Sequence, residues 1–150
     1  MKISERKILG RANAASARER TEDMLHVVKW HNGEKEWSPF STQEMDRRQN
    51  EMRKWMAGNQ VDVSLFTSYH GICYYSGFLY CYFGRKYGFV LDHDNATTVT
   101  AGIDGGQPWR RTHGDNITYS DWRRDNFYTA ITSLLKPGIK RIGIEYDHVS

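Results

Sequence analysis

Apolar positions along the chain recur with two periods, and the points where the period changes divide it into short elements. Between Leu25 and Trp30 an apolar alternation predicts a short strand or extended arm, followed by a turn at Asn32-Gly33. From position 41 the period becomes helical. Ser41-Thr42-Gln43-Glu44 has the form of a capping box, Phe40 and Met45 stand where a hydrophobic staple puts them, and Met45, Met52, Trp55 and Met56 repeat on one face. This predicts a helix closed by Gly58, with the Met/Trp stripe as core contact rather than a cofactor box and with Arg47, Arg48, Glu51, Arg53 and Lys54 on a solvated side. Residues 61–67 read as a strand, with His70 in the turn after it as a hydrogen-bonded structural residue. Residues 87–91 and 97–101 read as a strand pair joined by Asp92-His93-Asp94-Asn95-Ala96, a polar turn lacking the glycine and distal glutamate of a calcium loop. Gly105-Gly106 and Pro108 predict a loop over residues 103–111 that displays Trp109, Arg110 and Arg111; the phosphate-binding glycine pattern and its lysine are absent. A strand at 116–120, a helix that residues 122–125 lead into and that runs through about 135 with Phe127, Ile131, Leu134 and Leu135 inward, and a strand at 141–146 complete the order. The class this predicts is α/β, a mixed β-sheet flanked by helices.

Residues 74–87 are the densest stretch, with five tyrosines, two phenylalanines and Arg85. Their bulk, interrupted by Gly77 and Gly84, predicts strand, bend, strand, with Arg85 at a glycine-loosened corner. A guanidinium on a backbone that glycine lets approach closely can clamp a small carboxylate in a bidentate fork. Such an arginine also serves packing or the surface, and spacing alone leaves both open.

Composition narrows the picture. A chain of 150 residues, 39% hydrophobic and 13% aromatic, is enough for one domain with a sizeable core. No apolar run reaches the length of a membrane helix, so no membrane partner is expected. The net charge is +3, but residues 1–23 carry six Lys/Arg against four Asp/Glu, leaving fifteen against fourteen elsewhere. Without basic residues clustered on the folded part, no nucleic-acid partner is expected either. Cys73 and Cys81 fit no zinc pattern and read as reduced, half-buried thiols rather than a disulfide. Residues 1–23 lack the apolar run of a secretory signal and are expected to be a disordered tail or a mis-assigned extension ahead of Met24. No serine/histidine/aspartate grouping, paired catalytic carboxylates or metal-ligand cluster can be assembled from these residues.

Ile72-Cys73-Tyr74-Tyr75-Ser76-Gly77-Phe78 and Gly143-Ile144-Glu145 carry a broad resemblance to the pita-bread family, which includes aminopeptidase P and prolidase. Residues 66–70, Leu79-Tyr80-Cys81, Phe83-Gly84-Arg85, residues 103–111, Asn116-Ile117 and Asp121-Trp122 narrow it: residues 24–150 resemble the N-terminal domain of the creatinases. The resemblance implies a homodimeric, cytoplasmic hydrolase, free of metal and cofactor, that converts creatine and water to sarcosine and urea. It further implies that the catalytic residues lie in a C-terminal domain absent from residues 1–150, so none is in this chain and the fragment alone is inactive. The N-terminal domain of that family lends a phenylalanine and an arginine to the partner subunit's substrate pocket, and the matching positions are Phe83 and Arg85. Two alternatives stand beside it. One is the N-terminal domain of another pita-bread hydrolase, such as a proline-specific peptidase, whose two-metal site would set it apart. The other is a non-catalytic module presenting Trp109, Arg110, Arg111, Trp122, Arg123 and Arg124 to a protein, against which the same residues can form a seam with the domain's own neighbours.

Overall fold

The computed structural model describes residues 27–31, 33–36, 38–81, 84–120 and 125–148. The expectation for residues 1–23 lies outside them, as do Asn32, Phe83, Trp122, Arg123 and Arg124. The elements are β1 (Val27–Val28), α1 (Thr42–Gly58), β2 (Val63–Phe66), α2 (Tyr69–Ser76), β3 (Gly88–Asp92), β4 (Ala96–Ala101), α3 (Gln107–Arg111), β5 (Asp115–Tyr119), α4 (Asn126–Leu134) and β6 (Ile142–Ile144). The strands form one mixed sheet in the order β1-β5-β4-β3-β2-β6. β4 with β5 and β2 with β6 are parallel, and the remaining neighbours are antiparallel.

Helices cover both faces because the central strands are apolar on both. Phe89 and Leu91 on β3 and Val99 on β4 are fully buried. Phe89 faces α2, stacking on Tyr75 at 6.1 Å between ring centroids. Gly88, on the opposite face, leaves room for Phe127 and Ile131 of α4, whose atoms a Cβ there would meet at 3.2–3.5 Å. Between the parallel strands β4 and β5 the core is polar: the Asn116 amide donates to Thr98 Oγ1 at 2.9 Å and to Thr100 Oγ1 at 3.1 Å, and the Thr118 hydroxyl donates back to Asn116 Oδ1. A one-residue slip would strand these buried groups, so the network fixes the register.

α1 begins as its sequence requires, with Ser41 Oγ accepting from the Glu44 amide at 3.2 Å. Met45 and Met56 are buried and Met52 packs against the core. Two assignments on this helix change. Trp55 is half exposed, and Arg48 is buried, not solvated. Its guanidinium donates to Glu44 and to the Tyr74 carbonyl and lies 4.0 Å from the Phe40 ring centre, so pairing and stacking make its burial tolerable.

The strand expected at the start of residues 74–87 is instead the end of α2. Ser68 Oγ caps its start by accepting from the Gly71 amide, and Gly77 ends it with φ +73°. The expected loop at 103–111 also gains order: a 3₁₀ turn at Gly102–Asp104 and then α3, with Pro108 in its first turn. His70 lies in the first turn of α2, exposed, its ring edge-on to Tyr69.

Gly114, at φ +104°, lies where a Cβ would stand 2.5 Å from the Ala96 carbonyl oxygen. Gly114→Ala is expected to cost about 2 kcal/mol or more, read as a lower denaturant midpoint. Acid should also weaken the fold. Burial tends to raise the Asp92 carboxyl, but Asn95, the Asp94 amide and Lys136 together hold it below its usual range, while the Lys140 and Arg141 amides lower Asp62. A carboxyl depressed in the folded state stabilises above its unfolded value, near 3.8, and that contribution disappears as pH falls through the folded value. The melting temperature is therefore expected to drop below about pH 4, and less steeply in Asp92→Asn.

Candidate functional site

Arg85 stands on an exposed corner at one end of the sheet, immediately before β3. Gly84 precedes it at φ +70°, with open space where a Cβ would be, so the backbone there turns in a conformation that glycine supplies without cost. The corner expected from sequence is thus present, though only β3 follows it as a strand. Phe83, its companion in the expectation, lies outside the described residues.

The residues that follow Arg85 are held from several sides. The Lys86 carbonyl accepts from the Tyr119 hydroxyl at 2.9 Å, and its ammonium donates to the Tyr128 hydroxyl at 2.7 Å. Tyr87 is buried, stacks on Tyr80 at 4.0 Å, and donates to Asp104 at 2.7 Å. Burial, then this hydrogen bond, push the Tyr87 phenol far up, so it stays a neutral donor at any working pH. Nothing in the spacing of the sequence announces these partners, which come from the ends of β5 and α4 and from the turn after β4.

On the opposite side of the molecule the segment after β1 straps across α3. Lys35 donates to the carbonyls of Trp109, Thr112 and Gly114 at 2.7–2.9 Å and sits 3.6 Å from the Trp109 ring centre. Burial in this collar pushes its ammonium down to about 8, with Asp115 pulling it back up. His31 stacks on Trp109 at 3.8 Å, and Glu36 pairs with both Arg110 and Arg111. Of the six residues that sequence offered as a partner surface, Trp109, Arg110 and Arg111 are thus contacted by the chain's own arm, with both arginines still partly exposed, while Trp122, Arg123 and Arg124 lie outside the described residues. A cleft of about 490 Å³ between this arm and the start of α1 is lined by Phe40, Met45, Arg110, Arg111 and His113 among others, and does not include Arg85.

A third cluster, marked in sequence by Gly143-Ile144-Glu145, is structural. The Glu145 carboxylate accepts from the amides of Thr67 and Ser68 at 2.8 Å and from the Ser68 hydroxyl at 2.6 Å, tying the end of β6 to the start of α2. Gly71 makes the room: a Cβ there would lie 2.5 Å from Glu145 Oε1. Both cysteines are free; Cys73 is half-buried, with its thiol pushed up by burial, and Cys81 is exposed. Among the described residues no three or more His, Cys, Asp or Glu gather as a metal site, and no helix is long and apolar enough to cross a membrane.

Comparison with known proteins agrees with this architecture. Residues 48–150 match the Creatinase/Prolidase N-terminal domain family, and the chain belongs to it. It is 46% identical over 123 residues to the creatinase of Bacillus sp. (strain B-0618), an alignment covering 80% of this chain and 30% of that enzyme. The chain thus spans less than a third of the length of that relative. Among solved structures it is similar to a proline dipeptidase of Streptococcus pneumoniae, with TM-score 0.61 and 14% identity over 69% of this chain and 76% of that one. It is also similar to the Creatinase/Prolidase N-terminal domain of an X-Pro dipeptidase of Streptococcus pyogenes, with TM-score 0.60 and 18% identity over 73% and 81%. At these identities the two structures establish the fold alone.

Proposed function

We propose that this chain is the N-terminal domain of a creatine amidinohydrolase, a hydrolase converting creatine and water to sarcosine and urea, and that it lends Arg85 to the substrate pocket of a partner subunit. The observation that carries the reading is the 46% identity to a creatinase over 123 residues, most of the chain. The chemistry of the corner is consistent with it. Arg85 is exposed beside an anchored segment, an arginine can meet a carboxylate with two parallel hydrogen bonds, and creatine carries one carboxylate. Phe83 would shape the pocket beside it. The bond-breaking groups belong to a catalytic domain outside residues 1–150, so the isolated chain has no turnover.

Intact-mass measurement of the native protein, followed by creatine-dependent urea release, tests this. A mass at least about twice that of the chain, with urea and sarcosine formed and activity surviving a chelator, is the expected result. A native mass equal to this chain's, or no urea from creatine, overturns it. Hydrolysis of X-Pro dipeptides abolished by chelation would point to the prolidase branch, which the dipeptidase neighbours keep in view.

A further inference from the structure

We infer that Tyr119 and Tyr128 are positioning residues for Arg85, acting through Lys86, the residue next to it. The two tyrosines stand on either side of one ring. Phe127 meets Tyr119 edge-on at 5.6 Å and Tyr128 edge-on at 5.5 Å. From that ladder both hydroxyls converge on a single residue. Tyr119 Oη holds the main chain of Lys86 by its carbonyl, and Tyr128 Oη holds its side chain by the ammonium, which also lies 4.9 Å from the Tyr128 ring centre. These contacts span 33 and 42 residues of sequence. They tie β5 and α4 to the loop that carries Arg85.

The consequence follows from chain geometry. A peptide plane held at the Lys86 carbonyl and a side chain held at its tip leave few free dihedrals between the anchor and Arg85. On the other side of Arg85, Gly84 supplies the most permissive backbone available. The arginine therefore sits between a fixed point and a swivel. Fixing the downstream side confines the main chain from which the Arg85 side chain departs, which lowers the ordering entropy that carboxylate capture would otherwise cost. Tyr119 is 5% exposed and keeps its ring contacts without its hydroxyl, so its O–H is separable from its packing.

The inference rests on the proposed role of Arg85, and the test keeps the two apart. In the full gene product, creatine kinetics are measured for Tyr119→Phe, Tyr128→Phe, Arg85→Ala and the double variants with Arg85→Ala. Each tyrosine variant is expected to raise KM about threefold to tenfold with kcat within about twofold, the size of one lost hydrogen bond expressed in ground-state binding. In the Arg85→Ala background the same changes should have no further effect on kcat/KM, because nothing remains to be aimed. A merely structural role would lower the melting temperature and leave KM, and the additivity of the cycle, untouched. If Arg85→Ala is impaired but the tyrosine variants keep the wild-type KM, or add independently to Arg85→Ala, the positioning role falls and the arginine's role stands. If Arg85→Ala itself is silent, both fall. Tyr128, half exposed, keeps the test decisive should Tyr119→Phe fold poorly.

Discussion

Replacing Arg85 by alanine in the full gene product is expected to lower kcat/KM for creatine by a factor of about 10 to 150. The estimate is the loss of charge-assisted hydrogen bonds to a carboxylate, about 1.5–3 kcal/mol. Arg85→Lys should recover only part of it, because an ammonium offers a point charge where the guanidinium offers a planar fork. Arg85 is exposed, and a melting curve separates any effect on folding from the effect on binding. Steady-state kinetics with a melting curve for each variant check this; unchanged kinetics in Arg85→Ala would remove Arg85 from the site, and full recovery in Arg85→Lys would remove the need for a planar fork.

The largest effect on stability is expected at Glu145. Its carboxylate satisfies two backbone amides at the start of α2 and the hydroxyl that caps that helix. Glu145→Ala leaves those donors without their acceptor and unties β6, a cost of about 3 kcal/mol, measurable as a fall in the denaturant midpoint at unchanged slope. Gly71→Ala should reproduce much of this from the other side, since its methyl group would occupy the space of Oε1. If Glu145→Ala unfolds at the wild-type midpoint, the carboxylate is a surface ornament and the bonds are worth nothing.

What could be read from sequence were the features whose cause is local. The box at Ser41 and the staple at Phe40 foretold α1, and the β3–β4 pairing followed from its apolar runs and polar turn. At α2 the aromatic pair Tyr74 and Tyr75 suggests a strand, whereas Ser68 and Gly77, the cap at each end, set the helix. Arg48 was placed in solvent by helical spacing, although its burial depends on Glu44, Tyr74 and Phe40 acting together. The same limit applies at the site. Gly84 announces a corner at Arg85, but the grip on Lys86 comes from Tyr119 and Tyr128, far along the chain, and no period or motif encodes such a meeting. The arm over Trp109 is a further case: the contacts that Lys35 and Glu36 make with Trp109, Arg110 and Arg111 join positions more than seventy residues apart, and nothing in the glycine-proline segment itself encodes them.

The order of strands in the sheet has a bearing on synthesis. As the polypeptide leaves the ribosome, β2 can pair with β3 at once, but its other side waits for Ile142–Ile144, some eighty positions later. Throughout that interval the nascent sheet offers an open row of amides and carbonyls beside apolar side chains, the surface on which neighbouring chains zip together. Trimming the three residues of β6 would make this transient hazard permanent, and such a truncation would be felt as chaperone demand as well as in lost stability.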